Sequence, residues 1–282
     1  MALASPIRVL VREHRKQLML TYTLFGLEML ASLLRPYLVG VAVDGLIAGS
    51  YRGLVELSIA HLLYLVIGTA RHMYDTRTFS AIYTTFVTRL LAQPAGAEEL
   101  SRRSALSTLA RQVTDFLEFD VNYLVEAFYN IVGSLVLLFV YDHEVVMICL
   151  VILAAVAVLG RGYGIRASRL NKEQFDELEQ QVDIIAGQDP VAMKKHYRRL
   201  RVLQVRISDL EAKNFGATEL LVLFALSGSL LVASHERGVA MPVGSIIALY
   251  TYVLRFASGL ETIPYAIQRL GALRDIVRRL AE

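Results

Sequence analysis

Tryptophan is absent from this 282-residue chain and cysteine occurs once. The lone Cys149 excludes a disulfide within the chain and leaves no basis for a cysteine-built metal site. With no tryptophan, any interfacial aromatic belt falls to tyrosine, and Tyr37, Tyr51, Tyr64, Tyr141 and Tyr250 can supply part of one. Also missing is a G-x-x-x-x-G-K-[ST] loop, so the chain offers no backbone cradle and lysine for nucleotide phosphates. Gly160-Arg161-Gly162-Tyr163-Gly164 comes nearest, but it closes an apolar stretch and lacks the lysine and hydroxyl. It reads as a flexible or packing segment. No enzyme chemistry, cofactor or metal is therefore expected. The first apolar stretch is long, holds Glu28 and Arg35 and lacks a small-residue cleavage site, so the start does not read as a cleavable signal sequence.

What the chain does have is apolar length. Hydrophobic residues make up 55% of it and its mean hydropathy is +0.47, above the level of soluble domains. Six segments with few charges, at about 18–48, 53–85, 114–141, 145–165, 216–235 and 243–268, approach or exceed the ~20 residues that cross a ~30 Å hydrocarbon core as a helix. The predicted fold is all-α, a single six-helix transmembrane domain over 1–282 whose helices continue past the bilayer. A single soluble helical domain would have nowhere to bury so much apolar surface.

Flanking lysines and arginines set the expected orientation, because they stay on the cytoplasmic side. Basic residues concentrate in 1–17, 87–113, 161–213 and the tail from 267, whereas the intervening loops carry only Arg52 and Arg237. Both termini and both long loops are thus expected in the cytoplasm, with the bacterial inner membrane the expected location. The pI near 8.9 reflects these loops and implies no nucleic-acid partner. Arg35, Arg71, Arg77 and Arg255 fall inside spans and need a separate account.

The outer connections, near Ala48 to Arg52, Asp142 to Glu144 and His235 to Pro242, are short. The inner ones, about 86–113 and 166–215, are long and charged. Arg166 to Glu179 and Met193 to Glu211 read as solvated helices, broken at Gly187-Gln188-Asp189-Pro190. Spans four and five are then joined by a short crosswise element, with a matching one around Gln93 to Arg103.

Several local patterns now fall in a familiar order: Arg35-Pro36-Tyr37 with Val43-Asp44-Gly45-Leu46-Ile47, Arg103 through Glu118, Ser208-Asp209-Leu210-Glu211-Ala212, and Arg269 through Leu280. Together they make the chain resemble the transmembrane domain of type I (type IV) ABC exporters, here without the ATPase domain. The resemblance implies a domain-swapped homodimer of twelve spans, in which spans four and five cross to the partner. It also implies coupling helices at about 94–103 and 186–195, where a separate ATPase subunit would dock.

If this chain does not itself use ATP, ionisable groups within the spans become candidates for energy coupling. A charge at the centre of a membrane helix costs at least about 2.5–3.5 kcal/mol, so it faces a cavity or a partner. Glu28, Glu126, Glu219, Glu261 and Arg255 are the expected proton-coupling or cavity residues. Arg71 and Asp75, spaced i,i+4, share a face and read as an intramembrane ion pair. Glu28 and Arg35, two turns apart, are not expected to touch. Asp115, Glu118 and Asp120 read as cytoplasmic surface, and His61 and His72 as packing histidines. Tyr22, Phe25, Tyr252 and Phe256 lie on spans one and six, which line the cavity in the resembling family.

The sequence therefore points to a carrier in the lipid bilayer that moves an amphipathic or peptide-like cargo by alternating access on a proton gradient. A split ABC transporter subunit and a non-transporting membrane scaffold are the alternatives. The orientation is testable by labelling. In a Cys149→Ser background, Arg52→Cys and Arg237→Cys are expected to react with an impermeant maleimide in intact cells, and Lys172→Cys and Arg201→Cys only after lysis. The reverse pattern would invert the topology.

Overall fold

The computed structural model describes residues 5–92, 100–235 and 241–279, and these are helical almost throughout. Among the described residues ten α-helices run in order: α1 (Ser5–Glu13), α2 (Arg15–Ile47), α3 (Arg52–Leu91), α4 (Leu100–Asp115), α5 (Val121–Phe128), α6 (Ser134–Tyr141), α7 (His143–Glu179), α8 (Gln181–Ala186), α9 (Pro190–His235) and α10 (Val243–Arg279). Two π-helical turns, Phe116–Asp120 and Tyr129–Gly133, join α4, α5 and α6 into one rod. There is no strand among the described residues. This is the expected all-α class, with six helices long and apolar enough to cross a membrane.

Helix is the form the environment demands. Lipid offers no hydrogen bonds, so each backbone group must be satisfied within its own segment. The 40 residues of α3 extend about 60 Å at roughly 1.5 Å per residue, twice the hydrocarbon thickness of ~30 Å, so this helix continues beyond the bilayer. Its apolar residues Ile59, Leu62, Leu63, Leu65 and Val66 are each more than half exposed. In lipid such a face carries no hydrophobic penalty.

The helices divide into two compact units, one of 1–143 with 232–282 and the other of 144–231. In the first, α2, α3, the α4–α6 rod and α10 pack together. Near one end, Leu10, Leu18, Phe79, Ile82, Phe86, Ala110 and Val113 form a buried cluster. Further along, Tyr252, Val253 and Phe256 of α10 are fully buried, and Tyr252 Oη donates to the Leu33 carbonyl at 3.0 Å. Pro36 lies just beyond, within α2, where it withholds one backbone donor.

Small residues set how closely these helices approach. A Cβ on Gly40 would lie 2.5 Å from the Gly244 carbonyl oxygen, so α2 and α10 touch backbone to backbone. At the same crossing the Asp44 carboxylate accepts the Gly244 N–H at 2.7 Å. It thereby satisfies a free donor in the first turn of α10 and complements the positive end of the helix dipole. Ahead of α3, Ser50 N–H donates to Gly45 O at 2.8 Å and Gly49 N–H to Leu46 O at 3.1 Å. With Gly49 at φ 76°, this is a Schellman ending that turns the chain.

In the second unit α7 and α9 run together. Gln174 Nε2 donates to Gln204 Oε1 at 3.0 Å. Glu177 Oε1 meets His196 Nδ1 at 2.9 Å while its Oε2 pairs with Arg199 at 2.9 Å. The break between them falls at Gly187 to Pro190 as expected, with Gln188 at φ 49° and Asp189 Oδ1 accepting the Val191 N–H at 2.9 Å. The short joining element lies earlier than the expected 186–195. It is α8, Gln181–Ala186, because the Asp189 cap with proline at the first helical position already starts α9. Of the other expected element, 94–103, residues 94–99 lie outside the described residues and 100–103 begin α4.

Gly244→Val is expected to destabilise the protein by about 1–3 kcal/mol through overpacking. Asp44→Ala should cost about 0.5–2 kcal/mol through the lost cap. Thermal unfolding of the purified variants in detergent measures both, and an unchanged midpoint for Gly244→Val would contradict the close α2–α10 contact.

Candidate functional site: a buried charge triad

Midway along α2 and α3 the structure gathers Glu28, Arg71 and Asp75. The Arg71 guanidinium donates through Nε to Glu28 Oε2 at 2.5 Å and through Nη1 to Asp75 Oδ2 at 2.5 Å. All three side chains are largely buried, at 14% exposure for Arg71, 10% for Glu28 and 8% for Asp75. One face of the guanidinium lies over the Phe25 ring, 4.8 Å from its centroid. The fork of fixed donors on arginine lets one cation serve carboxylates from two helices, which a lysine point charge does less well.

The register that makes this possible is local. Asp75 follows Arg71 by one helical turn, so the two share a face of α3. Glu28 reaches the same guanidinium from α2 because Gly68, three residues before Arg71, has no side chain. A Cβ there would lie 3.2 Å from Glu28 Oε1. Asp75 also faces the buried hydroxyl of Thr21 on α2. Two carboxylates thus share one guanidinium.

The other expected residues are dispersed. Arg255 is half-buried on α10 and donates to Ser32 Oγ of α2. Glu126 on α5 and Glu261 on α10 are exposed, and Glu219 is half-buried on α9 in the second unit. Among the expected cavity aromatics, Phe25 stacks on Arg71, and Tyr22 donates to the Leu117 carbonyl at 2.8 Å. Tyr252 and Phe256 are fully buried within this chain, where glycines bring α10 close to α2. His61 and His72 are exposed rather than packed inside.

Asp120 is a second correction. It reads as cytoplasmic surface in the sequence, yet it is 2% exposed. Its Oδ1 accepts Tyr265 Oη–H at 3.0 Å and Arg269 Nε–H at 2.7 Å. That bond raises the Arg269 pKa above its ordinary value, so the guanidinium is a fixed cation tying α10 to the first π turn. Asp115 and Glu118 are half-buried. The only sequence signal for Gly68 and Asp120 was spacing: Gly68 one turn from Arg71, and Asp120 in an acidic run entering an apolar stretch.

Six membrane-length helices and an ion triad buried between α2 and α3 define an integral membrane protein that holds charge between its helices. The chain belongs to the family described as ABC transporter transmembrane region, which matches residues 7–241. That family is a membrane-spanning rather than a catalytic domain, so the chain is a membrane component of a transporter. No curated protein matches it significantly.

Arg71→Met strips the paired cation from two buried carboxylates and is expected to destabilise the protein by about 3–5 kcal/mol. The triple substitution Glu28→Gln, Arg71→Met, Asp75→Asn should recover much of that loss, since no charge remains unpaired. Thermal unfolding in detergent checks both, and a single substitution no worse than the triple would deny the triad its electrostatic role.

Proposed function

We propose that this chain acts as the membrane half of a carrier that works as a pair of identical copies, driven by the proton gradient, with Glu28, Arg71 and Asp75 as the proton-exchanging group. The observation that carries the reading is two buried carboxylates on one guanidinium. With both acids ionised the triad has one negative charge in excess, so it can take up a proton while Arg71 keeps a partner. Whether it does depends on hydration, because desolvation favours the neutral acid and water the ionised one. A carrier whose packing alternates the wetting of this site would bind and release a proton in each cycle. Pairing of copies is supported by the separate compact unit formed by spans four and five, the spans that cross to the partner in the exporter arrangement.

A second reading, the membrane subunit of a split transporter with its ATPase on another chain, is favoured by a different observation. At the turn between α7 and α9, Val182, Ile185 and Val191 are exposed by 74%, 46% and 76%. Apolar side chains at such a turn suit docking of a partner protein.

Sealed vesicles holding the purified protein separate the two. With an acid-outside gradient and no ATP, proton coupling predicts uptake from a panel of fluorescent peptides and lysolipids, lost on adding a protonophore and in Asp75→Asn and Glu28→Gln. Uptake that needs ATP and a co-purified ATPase, and ignores the gradient, would overturn the proton reading in favour of the split transporter.

A further inference from the structure

Two turns along α2 from Glu28 the charge balance reverses. The Arg35 guanidinium lies over the Tyr64 ring, 4.6 Å from its centroid, and its Nη2 is buried without a hydrogen-bond partner. Arg255 meets α2 one turn earlier, at Ser32, and is close enough for the two cations to repel, with Glu126 of α5 offsetting part of the charge of Arg255. Among the described residues neither arginine forms an ion pair. A cationic donor left unmade away from water is costly, so this one is poised for an acceptor that the chain itself does not supply.

Space for that acceptor adjoins Arg35. A small recess of about 10 Å³ opens between α2 and α3, lined by Ala31, Ala60, His61 and Tyr64 beside the guanidinium, so the oxygens of a head group would enter it and the rest would lie at its mouth. Arg35 lies 12 residues before the end of α2 and Tyr64 12 after the start of α3. Both are therefore about 18 Å from the turn that joins these helices, at roughly 1.5 Å per residue. That depth exceeds half of a ~30 Å hydrocarbon core, and an anion there has little water to compete with a guanidinium. The surrounding face of α3, with Leu62, Leu63 and Val66 exposed, is apolar.

We propose that the Arg35 pocket binds the oxyanion head, a carboxylate or a phosphate, of an amphipathic molecule whose apolar chain lies along the α2–α3 face. The planar fork of arginine matches the two oxygens of such a head, and the Tyr64 ring fixes the plane of the fork. A neutral or ammonium head gains nothing from it. Binding at this site does not require proton exchange at the triad and rests on the embedding of α2 and α3 in the membrane.

Photolabelling tests this without transport. In phosphatidylcholine nanodiscs, palmitic acid carrying a diazirine in its acyl chain is expected to label peptides spanning 31–38 and 57–64. The matched alcohol and trimethylammonium compounds should not. Arg35→Gln should weaken labelling by the acid at least about tenfold, the loss of one charge-assisted hydrogen bond, while Arg52→Gln leaves it unchanged. Arg35→Lys, which keeps the charge without the fork, should fall between and serves in place of Arg35→Gln if that variant does not elute as a folded protein. Dodecyl phosphate should compete. Competition by phosphatidylglycerol in the disc would assign the oxyanion to a bilayer lipid, and its absence to a separate amphiphile. Equal labelling by all three compounds, or labelling indifferent to Arg35, would overturn the proposal.

Discussion

Arg71 holds α2 to α3 with a side chain that the packed helices keep largely from water. A guanidinium at that position has to be paired, and pairing it with Glu28 and Asp75 fixes the rotation of both helices and their offset along the axis. Gly68 follows from that geometry, since any side chain would displace the Glu28 carboxylate. Once this register is set, Ser32 and Leu33 of α2 face α10, where Arg255 and Tyr252 meet them. A little further along, Asp44 reaches the first turn of α10. One face of α2 is thus read in turn by α3 and α10.

How far this was legible depends on the range of each interaction. Arg71 with Asp75 is a contact within one helix, and its four-residue spacing is written in the chain. The joining of Glu28 to the same cation is not, because it depends on how far α2 slides along α3, which glycine contacts decide and apolar periodicity does not. The class of fold was legible for a physical reason of its own: six stretches too apolar for water leave helix as the only available form. The aromatic residues of α10 are buried in this chain, and the sequence alone does not separate a stripe that packs from one that lines a cavity, because both have the same pattern. Asp120 was misread because a carboxylate in an acidic run gives no sign that Tyr265 and Arg269, nearly 150 residues away, will bury it.

The π turns mark where the third span departs from regularity. Each inserts a residue into the helical repeat and rotates the succeeding turns, and such insertions occur often at functional sites. The first ends at Asp120, which faces Tyr265 and Arg269 of α10. The second, at Tyr129–Gly133, brings Gly133 against Leu33 and sets Ile131 against Gly259 of α10. In both places the altered pitch places a contact that a regular helix would carry past its partner. Span three is therefore fitted to α2 and α10 by local changes of winding, with none of the proline kinks that would free backbone groups.

Charges of opposite sign on one face of α2 interact with each other. Glu28 and Arg35 are two turns apart, about 10 Å along the axis, and in a medium of low dielectric their fields reach that far with little screening. Arg35 and Arg255 contribute positive charge there, offset in part by Glu126 near Arg255. An oxyanion seated at Arg35 would cancel part of that field and make it easier for the triad to hold a proton. By reciprocity a proton on the triad would strengthen the hold on the oxyanion. The sign of this coupling is fixed by electrostatics alone: a proton and an anion favour one another, so the two proposed sites would load together and empty together. A carrier built this way would move an anionic amphiphile and a proton in the same direction, whichever way the gradient points.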